Sequence, residues 1–528
     1  MGQLMLNRVM SMQRESRPLQ IQPHNGPVDS KVDRKDSTCK QDHSSQGGET
    51  QNPGPHLSED IWFHIYSLLP MRDAARAACV SNAFQCFWRC HPNLAFNMKA
   101  LGMDKTSCGH DEIARNFTSI VDHILKNRSC MAIKTLEIVF RHYNDQVCNL
   151  DSWLQTVVTP GIEELTIQLS TKPGRYYNFP WSVLANKSGN SIRYINLSGC
   201  AFSSTAGMCL KSLSRLELCD VDITGNQLGS LLHNSFALQR MQLRRCNNIS
   251  CLKIPFHLQQ LGYLEVFDCS LLQVIEIEAQ NLSNFQFRGH TQVQLPRGVA
   301  LQLKKLVMSF PGAVSYICAD FPSSLRYVEA LTICSSREMI DTPVLPSKFL
   351  HLKYLSVDFS GVSFSSTYDY CSLISFFDAS PSLETLVINV MQMKMLHESV
   401  VGDTSHLRER PGHRHDSLKT VKIIGFSSAK SLVELTCHII ENTTSLECLT
   451  LDTTRGQPWT SCSSNYTGTC LLLHEDFMVE ARKGLLAIKT YVEPKVPSGV
   501  KLNVVENAMI FNRSHDLELH IQVIISTL

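Results

Sequence analysis

With 528 residues the chain is too long for one compact core of ordinary size, so it folds as several units or as an elongated repeat array. Its 49 Lys and Arg residues almost cancel its 48 Asp and Glu residues, which removes overall charge as a reason to expect a nucleic-acid or membrane partner. No uninterrupted apolar run approaches the roughly 18 residues of a membrane-spanning helix, and the expectation is a soluble protein.

Residues 1–55 are rich in Ser, Gln, Asp, Lys, Pro and Gly and, beyond Ile21, poor in large apolar residues. Such a segment cannot bury enough surface to offset its ordering entropy, so a disordered tail is expected. The N-terminus has no charged stretch leading into an apolar signal core, and the 20 cysteines are scattered through apolar and strand-like segments. They read as reduced cysteines of a cytoplasmic and/or nuclear protein.

The texture changes at His56. In HLSEDIWFHIYSLLPMRDAARAACVSNAFQCFWRCHP, Ile61, Ile65, Leu68 and Leu69 recur at helical spacing, with Ser58 placed to cap and Glu59 and Asp60 in the first turn. Pro70 ends that helix, Asp73 is positioned to cap a second carrying Ala74, Ala77 and Val80, and Ser81 begins a third carrying Phe84, Phe87 and Trp88. Three short helices with apolar residues on several sides cannot all satisfy one another, so part of that surface wants a partner. Cys86, Cys90 and His91 lie close together, but helix packing explains them better than a metal.

A helical linker over 99–130 follows, and the pattern then switches to apolar-x-x-apolar-x-apolar. The units are IKTLEI from Ile133, IEELTI from Ile162, IRYINL from Ile192, LSRLEL from Leu213, LQRMQL from Leu238, LGYLEV from Leu261 and LSNFQF from Leu282. They continue with LKKLVM from Leu303, LRYVEA from Leu325, LKYLSV from Leu352, LETLVI from Leu383, LKTVKI from Leu418 and LECLTL from Leu446. The average period of roughly 27 residues is that of leucine-rich repeats. Each unit supplies a short strand whose alternate residues enter the stack. Cys200, Cys219, Cys246 and Cys269 follow such strands, where a side chain tied to backbone groups turns the coil. Trp153, Trp181 and Trp459 lie in or beside the inter-strand loops and are expected to pack rather than to bind a ligand.

The segment 56–98 resembles the F-box, especially its plant form, at Leu57, Asp60, Ile61, Ile65, Ser67, Leu68, Leu69, Pro70, Ala74, Ala75, Arg76, Val80, Ser81, Phe84 and Trp88. Ser58 stands where that family usually has Pro, and Asn82 where it commonly has Arg or Lys. A second stretch, 415–452, looks like the FBD-type segment of plant F-box proteins at Leu418, Val421, Ile423, Gly425, Phe426, Glu434, Leu435, Ile440, Glu441, Asn442, Leu446, Glu447 and Leu449. Residues 481–506 are similar to the tail of grass proteins that combine an F-box with leucine-rich repeats.

The resemblance implies an α/β chain: a three-helix F-box, an irregular leucine-rich-repeat solenoid over 131–460 built on a parallel β-sheet horseshoe, and a capping region over 461–528. It also implies a noncatalytic subunit of an SCF-type ubiquitin ligase. Leu57, Ile61, Ile65, Leu68, Leu69, Pro70, Ala74, Val80, Phe84 and Trp88 would face a Skp-type adaptor, through it a cullin, and the repeats would hold an unidentified protein substrate. No cofactor, metal, nucleic acid or membrane is expected, and no P-loop, dinucleotide fingerprint, HExxH, GxSxG or CxxC appears. Two alternatives stay open. One is a small-molecule sensor, which requires basic residues converging on the repeat surface; Arg240, Arg244 and Arg245 are expected to alternate around one strand, so that they cannot all point inward. The other is a repeat scaffold whose F-box, altered at Ser58 and Asn82, no longer engages the adaptor.

Overall fold

The computed structural model describes residues 58–506 apart from 104–108, 130–131, 142–148, 171–174, 186–189, 203–209, 296–301, 321–326, 339–348, 362–367, 393–396, 403–405, 409–413 and 455–474. The expected tail over 1–55, Leu57, Trp459 and much of the expected cap over 461–528 lie outside the described residues. The chain forms two compact units, residues 1–159 and 160–528.

The first unit opens with the three expected helices, α1 (Glu59–Leu68), α2 (Met71–Ala77) and α3 (Asn82–Arg89). Tyr66, Ala74 and Phe87 form their buried centre, and Trp62, Phe63, Leu69, Ala77, Phe84 and Trp88 pack around it. Phe63 meets Phe87 edge-on at 4.7 Å between ring centroids, a favoured aromatic geometry. Two helix starts differ from expectation. Ser58 precedes α1 without a side-chain capping hydrogen bond, so Glu59 and Asp60 alone complement the helix dipole. Asp73 lies inside the first turn of α2, where it pairs with Arg76 at 3.3 Å, because Pro70, with its fixed φ, already starts that helix.

Strand β1 (Asn93–Asn97) then pairs in parallel with β2 (Thr135–Phe140), burying Leu94 and Phe96 beside Leu136 and Ile138. Between them runs α4 (His110–Lys126), and α5 (Leu150–Val157) follows. Trp153 on α5 is buried, and its indole N–H donates to Asp122 at 2.6 Å, so it packs as expected. His91 is buried with its ring nitrogens 2.8 Å from the Asn93 carbonyl and 3.1 Å from the Leu69 carbonyl. Burial pushes its basicity down. His91 therefore joins the end of the helical cluster to β1.

In the second unit the repeat strands stack in parallel. They are β3 (Glu164–Leu169), β5 (Tyr194–Ser198), β7 (Arg215–Cys219), β8 (Arg240–Arg244), β10 (Tyr263–Phe267), β12 (Asn284–Arg288) and β13 (Lys305–Ser309). The sheet continues through β14 (Ala330–Ser335), β15 (Tyr354–Gly361), β16 (Thr385–Gln392), β17 (Thr420–Ile424), β18 (Cys448–Asp452) and β19 (Lys501–Val505). Period-two burial sends Leu216, Leu218, Met241, Leu243, Leu264 and Val266, among others, into the stack. Two short pairs, β4 (Tyr177–Phe179) with β6 (Cys200–Phe202) and β9 (Cys251–Ile254) with β11 (Val274–Ile277), lie outside this sheet.

The sequence register fails at LRYVEA. The strand there is Ala330–Ser335, with Val328, Leu331 and Ile333 buried, so the repeat reads VEALTI from Val328. Leu325 lies outside the described residues. Strands β1 and β19 also carry no repeat motif strong enough to be read from sequence.

The corners after the strands are left-handed. Gly199, Asp220, Arg245 and Asp268 have φ of 71°, 53°, 51° and 52°. The N–H groups of Asp220, Arg245 and Asp268 donate to the carbonyls of Arg244, Phe267 and Arg288 on the next coil at 2.7 to 2.8 Å. Cys200, Cys246 and Cys269 are buried just beyond, their thiols directed at the carbonyls of Ser198, Leu218 and Phe267 respectively at 3.5, 3.6 and 3.8 Å. Cys219 differs: it is the last strand residue, half-buried, and its sulfur accepts from Arg245 at 3.3 Å. The buried Trp181 packs against Phe179 at 4.8 Å.

Helices α6 (Ser182–Ala185), α7 (Gly225–His233), α8 (Ala313–Asp320) and α9 (Ile374–Asp378) connect strands of this unit, and the FBD-like stretch contains α10 (Lys430–Asn442), buried continuously from Leu432 to Ile440. Helix α11 (Glu475–Ala487) runs into a π-helical turn over Ile488–Val492.

Candidate protein-interaction surfaces

The resemblance-derived adaptor residues separate into two groups. Ile61, Leu68 and Val80 are large apolar side chains in the open, 45%, 71% and 80% exposed, and Pro70 is exposed beside them. Ile65 and Leu69 are half-buried. Ala74, by contrast, is fully buried, because α2 turns it into the Tyr66–Phe87 centre. Its methyl serves the module's own packing and offers no surface to a partner. Phe84 and Trp88 are half-buried and packed on the same centre, so each has at most one edge to present.

Val80 also stands at the rim of a groove of about 620 Å³ within the first unit, lined by Met71, Ala75, Trp88, Leu101 and Ile124 among others. Its floor is mainly apolar. Arg128 lies along it with Nη1 donating to the His91 carbonyl at 2.8 Å and Nη2 buried without a hydrogen-bond partner among the described residues.

A second surface lies on the solvent face of the repeat sheet, and the sequence did not show it. Arg240 and Arg244 occupy the two ends of β8 and, being four residues apart on a strand, face the same side. Arg245 stands at the left-handed corner beyond the strand, where its guanidinium donates to the Cys219 sulfur. The expected alternation is therefore corrected for Arg240 and Arg244, which share one face. Parallel register then sets Arg215 beside Arg240 and brackets Phe267 between Arg244 and Arg288. Lys305 extends the row that begins with Arg215 and Arg240.

Each arginine is held. The Arg215 guanidinium lies 4.9 Å from the centre of the Tyr194 ring, Arg240 4.2 Å from Tyr263, and Arg244 and Arg288 5.8 and 4.8 Å from Phe267. Two carboxylates fix the arrangement. Glu217 accepts from Tyr194, Asn196 and Arg215 at 3.0, 2.9 and 2.7 Å. Glu265, buried, accepts from Tyr263, Gln242 and Arg244 at 2.7, 3.2 and 2.9 Å. Burial, with the neighbouring glutamate as a further cause, raises the pKa of Tyr194 and of Tyr263, which stay protonated donors.

The far end of the unit is fastened by buried charge. Glu434 on α10 accepts from the backbone N–H and Nε of Arg408 at 2.9 and 2.8 Å, and Arg408 reaches Asp369 at 3.0 Å. Glu480 on α11 binds His397 Nε2 at 3.1 Å and accepts from the Ser428 N–H at 2.7 Å. Among the described residues no group of three or more His, Cys, Asp or Glu could hold a metal ion, and no helix is long and apolar enough to cross a membrane.

Successive parallel strands closed by left-handed corners and inward cysteines define a leucine-rich-repeat protein. The chain belongs to the leucine-rich-repeat domain family described as At1g61320/AtMIF1, which it matches over residues 124–508. It is 21% identical over 411 residues to the putative F-box/FBD/LRR-repeat protein At5g56810 of Arabidopsis thaliana, covering 75% of this chain and 88% of that one. It is also 20% identical over 312 residues to the F-box/FBD/LRR-repeat protein At4g26340 of the same plant, covering 57% and 70%. A match to the putative F-box/LRR-repeat protein At3g44810, again from Arabidopsis, is 23% identical over 128 residues and spans only 24% of this chain and 28% of that one.

Proposed function

We propose that the chain is the noncatalytic substrate-recognition subunit of an SCF-type E3 ubiquitin ligase. In this reading the helical module docks on a Skp-type adaptor, which links it to a cullin, and the solvent face of the repeat sheet holds a target protein. The observation that carries the proposal is the exposure of Ile61, Leu68 and Val80 on a module whose other large apolar residues are packed. The order of the two parts and the names of the relatives support it. Ile65, Leu69 and Pro70 extend the docking surface, Phe84 and Trp88 shape it from beneath, and Ala74 has no part in it.

The test is binding of the purified chain to a plant Skp-type adaptor, beside a Leu68→Glu/Val80→Glu variant. Burying a Leu or Val contributes about 1.5 to 3 kcal/mol, so losing both costs at least a hundredfold in affinity. Both substitutions fall on open surface, and circular dichroism should be unchanged. A folded wild-type chain that ignores the adaptor overturns the proposal and leaves a repeat scaffold.

A further inference from the structure

The sheet face over β7 to β13 gathers five cations, Arg215, Arg240, Arg244, Arg288 and Lys305, against two carboxylates, Glu217 and Glu265, in a chain whose net formal charge is only +1. Both carboxylates are consumed within the face by tyrosine, amide and arginine donors. They aim Arg215 and Arg244 and are not free to meet a ligand. Arg240 and Arg288 rest on aromatic rings, and among the described residues no carboxylate lies within ion-pair distance of either. Farther along, the row of Arg288 turns neutral or acidic, with Ser309, Cys334, Asp358 and Asn389 following it in register, and Lys422 and Lys501 stand singly on later strands. The arginines of the face are thus gathered in one stretch of the sheet.

The spacing of the cations selects the ligand. Neighbouring strands lie about 4.8 Å apart, so β7 to β13 spans roughly 19 Å across the sheet. The guanidinium groups are spread along that span, Arg215 and Arg240 on separate tyrosine rings and Arg244 and Arg288 on the shared ring of Phe267, and are not gathered around one point as they would be around a phosphate. An extended peptide advances about 3.3 Å per residue and covers the distance with roughly six residues. Arginine laid on an aromatic ring keeps outward N–H groups for a carboxylate, and the ring holds the fork in place before binding.

Resting on the receptor reading above, we propose that this face is the target-docking surface and that it recognises an extended acidic segment, rich in Asp and Glu, of the target protein. The carboxylates of that segment sit against Arg240, Arg288 and the outer edges of Arg215 and Arg244. Specificity lies in the spacing of charge along the peptide, with Glu217 and Glu265 as positioning residues.

The experiment titrates the full chain with a fluorescein-labelled twelve-residue peptide of repeated Glu-Ser-Glu-Gly, read by anisotropy at two salt concentrations. Comparison peptides replace Glu by Lys, or carry one phosphoserine in a neutral background. The acidic peptide should bind with an affinity that falls as salt rises, and Arg240→Glu/Arg288→Glu should weaken it at least tenfold with unchanged circular dichroism. Equal binding by that variant, tighter binding of the phosphoserine peptide, or no binding of the acidic peptide overturns the proposal. Adaptor binding measured on the same preparations separates the two readings. A chain that binds the adaptor and ignores the peptide loses only this inference, and one that binds the peptide and ignores the adaptor loses the ligase reading.

Discussion

Replacing Glu480 by Gln should loosen α11 without unfolding the rest of the repeat unit. The Glu480 and His397 side chains are only 7% and 4% exposed, and the carboxylate holds both the His397 ring and the Ser428 N–H. Burial by itself pushes this carboxyl up, but the hydrogen bonds from His397 and Ser428 outweigh it and hold it below the usual glutamate range. A hydrogen bond to a charged group contributes about 1.5 to 3 kcal/mol. Glutamine keeps an acceptor for Ser428 and loses the charged contact with His397, so the expected cost is about 2 kcal/mol, or roughly thirtyfold more frequent local opening.

Amide hydrogen exchange across Val479–Ala487, corrected for intrinsic rates, measures it. The sign with pH follows from linkage. A carboxyl with a depressed folded pKa contributes fully above its unfolded value near 4.3 and loses that contribution as pH falls through the folded pKa. Wild type and variant should therefore differ about thirtyfold at pH 7 and draw together in acid. Equal protection at pH 7, or a gap that widens on acidification, would refute the reasoning.

Two further substitutions test packing. The Tyr66 hydroxyl is buried in the helical cluster with no hydrogen-bond partner among the described residues, so Tyr66→Phe should stabilise the first unit by about 1 kcal/mol, seen as a higher urea midpoint for its transition. Gly425 has φ of 74°, and a β-carbon there would run into the Val390 carbonyl of the preceding repeat. Gly425→Ala combines left-handed strain with backbone displacement and should cost about 3 kcal/mol in chemical denaturation, whereas Gly499→Ala, which meets nothing, should be nearly neutral.

The repeat strands were legible because their signal is local: two buried residues at i and i+2, preceded by a third, recur within six residues. That also explains the failure at LRYVEA, where Leu325 and Val328 offer two overlapping frames and only Leu331 and Ile333 decide between them. The helical module was readable as helices, yet Asp73 was misplaced because a cap and a first-turn acid look alike until Pro70 sets the start. The arginine face was hidden for a different reason. Arg215, Arg240 and Arg288 belong to separate coils, and their alignment depends on register between strands that no single repeat encodes. Counting Arg245 as a strand residue, when it is a left-handed corner, made the cluster look divided.

The left-handed corners carry a further consequence. Because every coil returns to the same register, the three outward residues of each strand form rows that run from coil to coil without slipping. A single residue inserted inside a strand would reverse that strand's faces and break every row. Length gained between strands leaves the rows intact, and a whole added coil extends each row by one residue, about 4.8 Å. Such a surface changes in steps: whole coils set how long a target segment it can read, and single substitutions within a row set which charges it reads there.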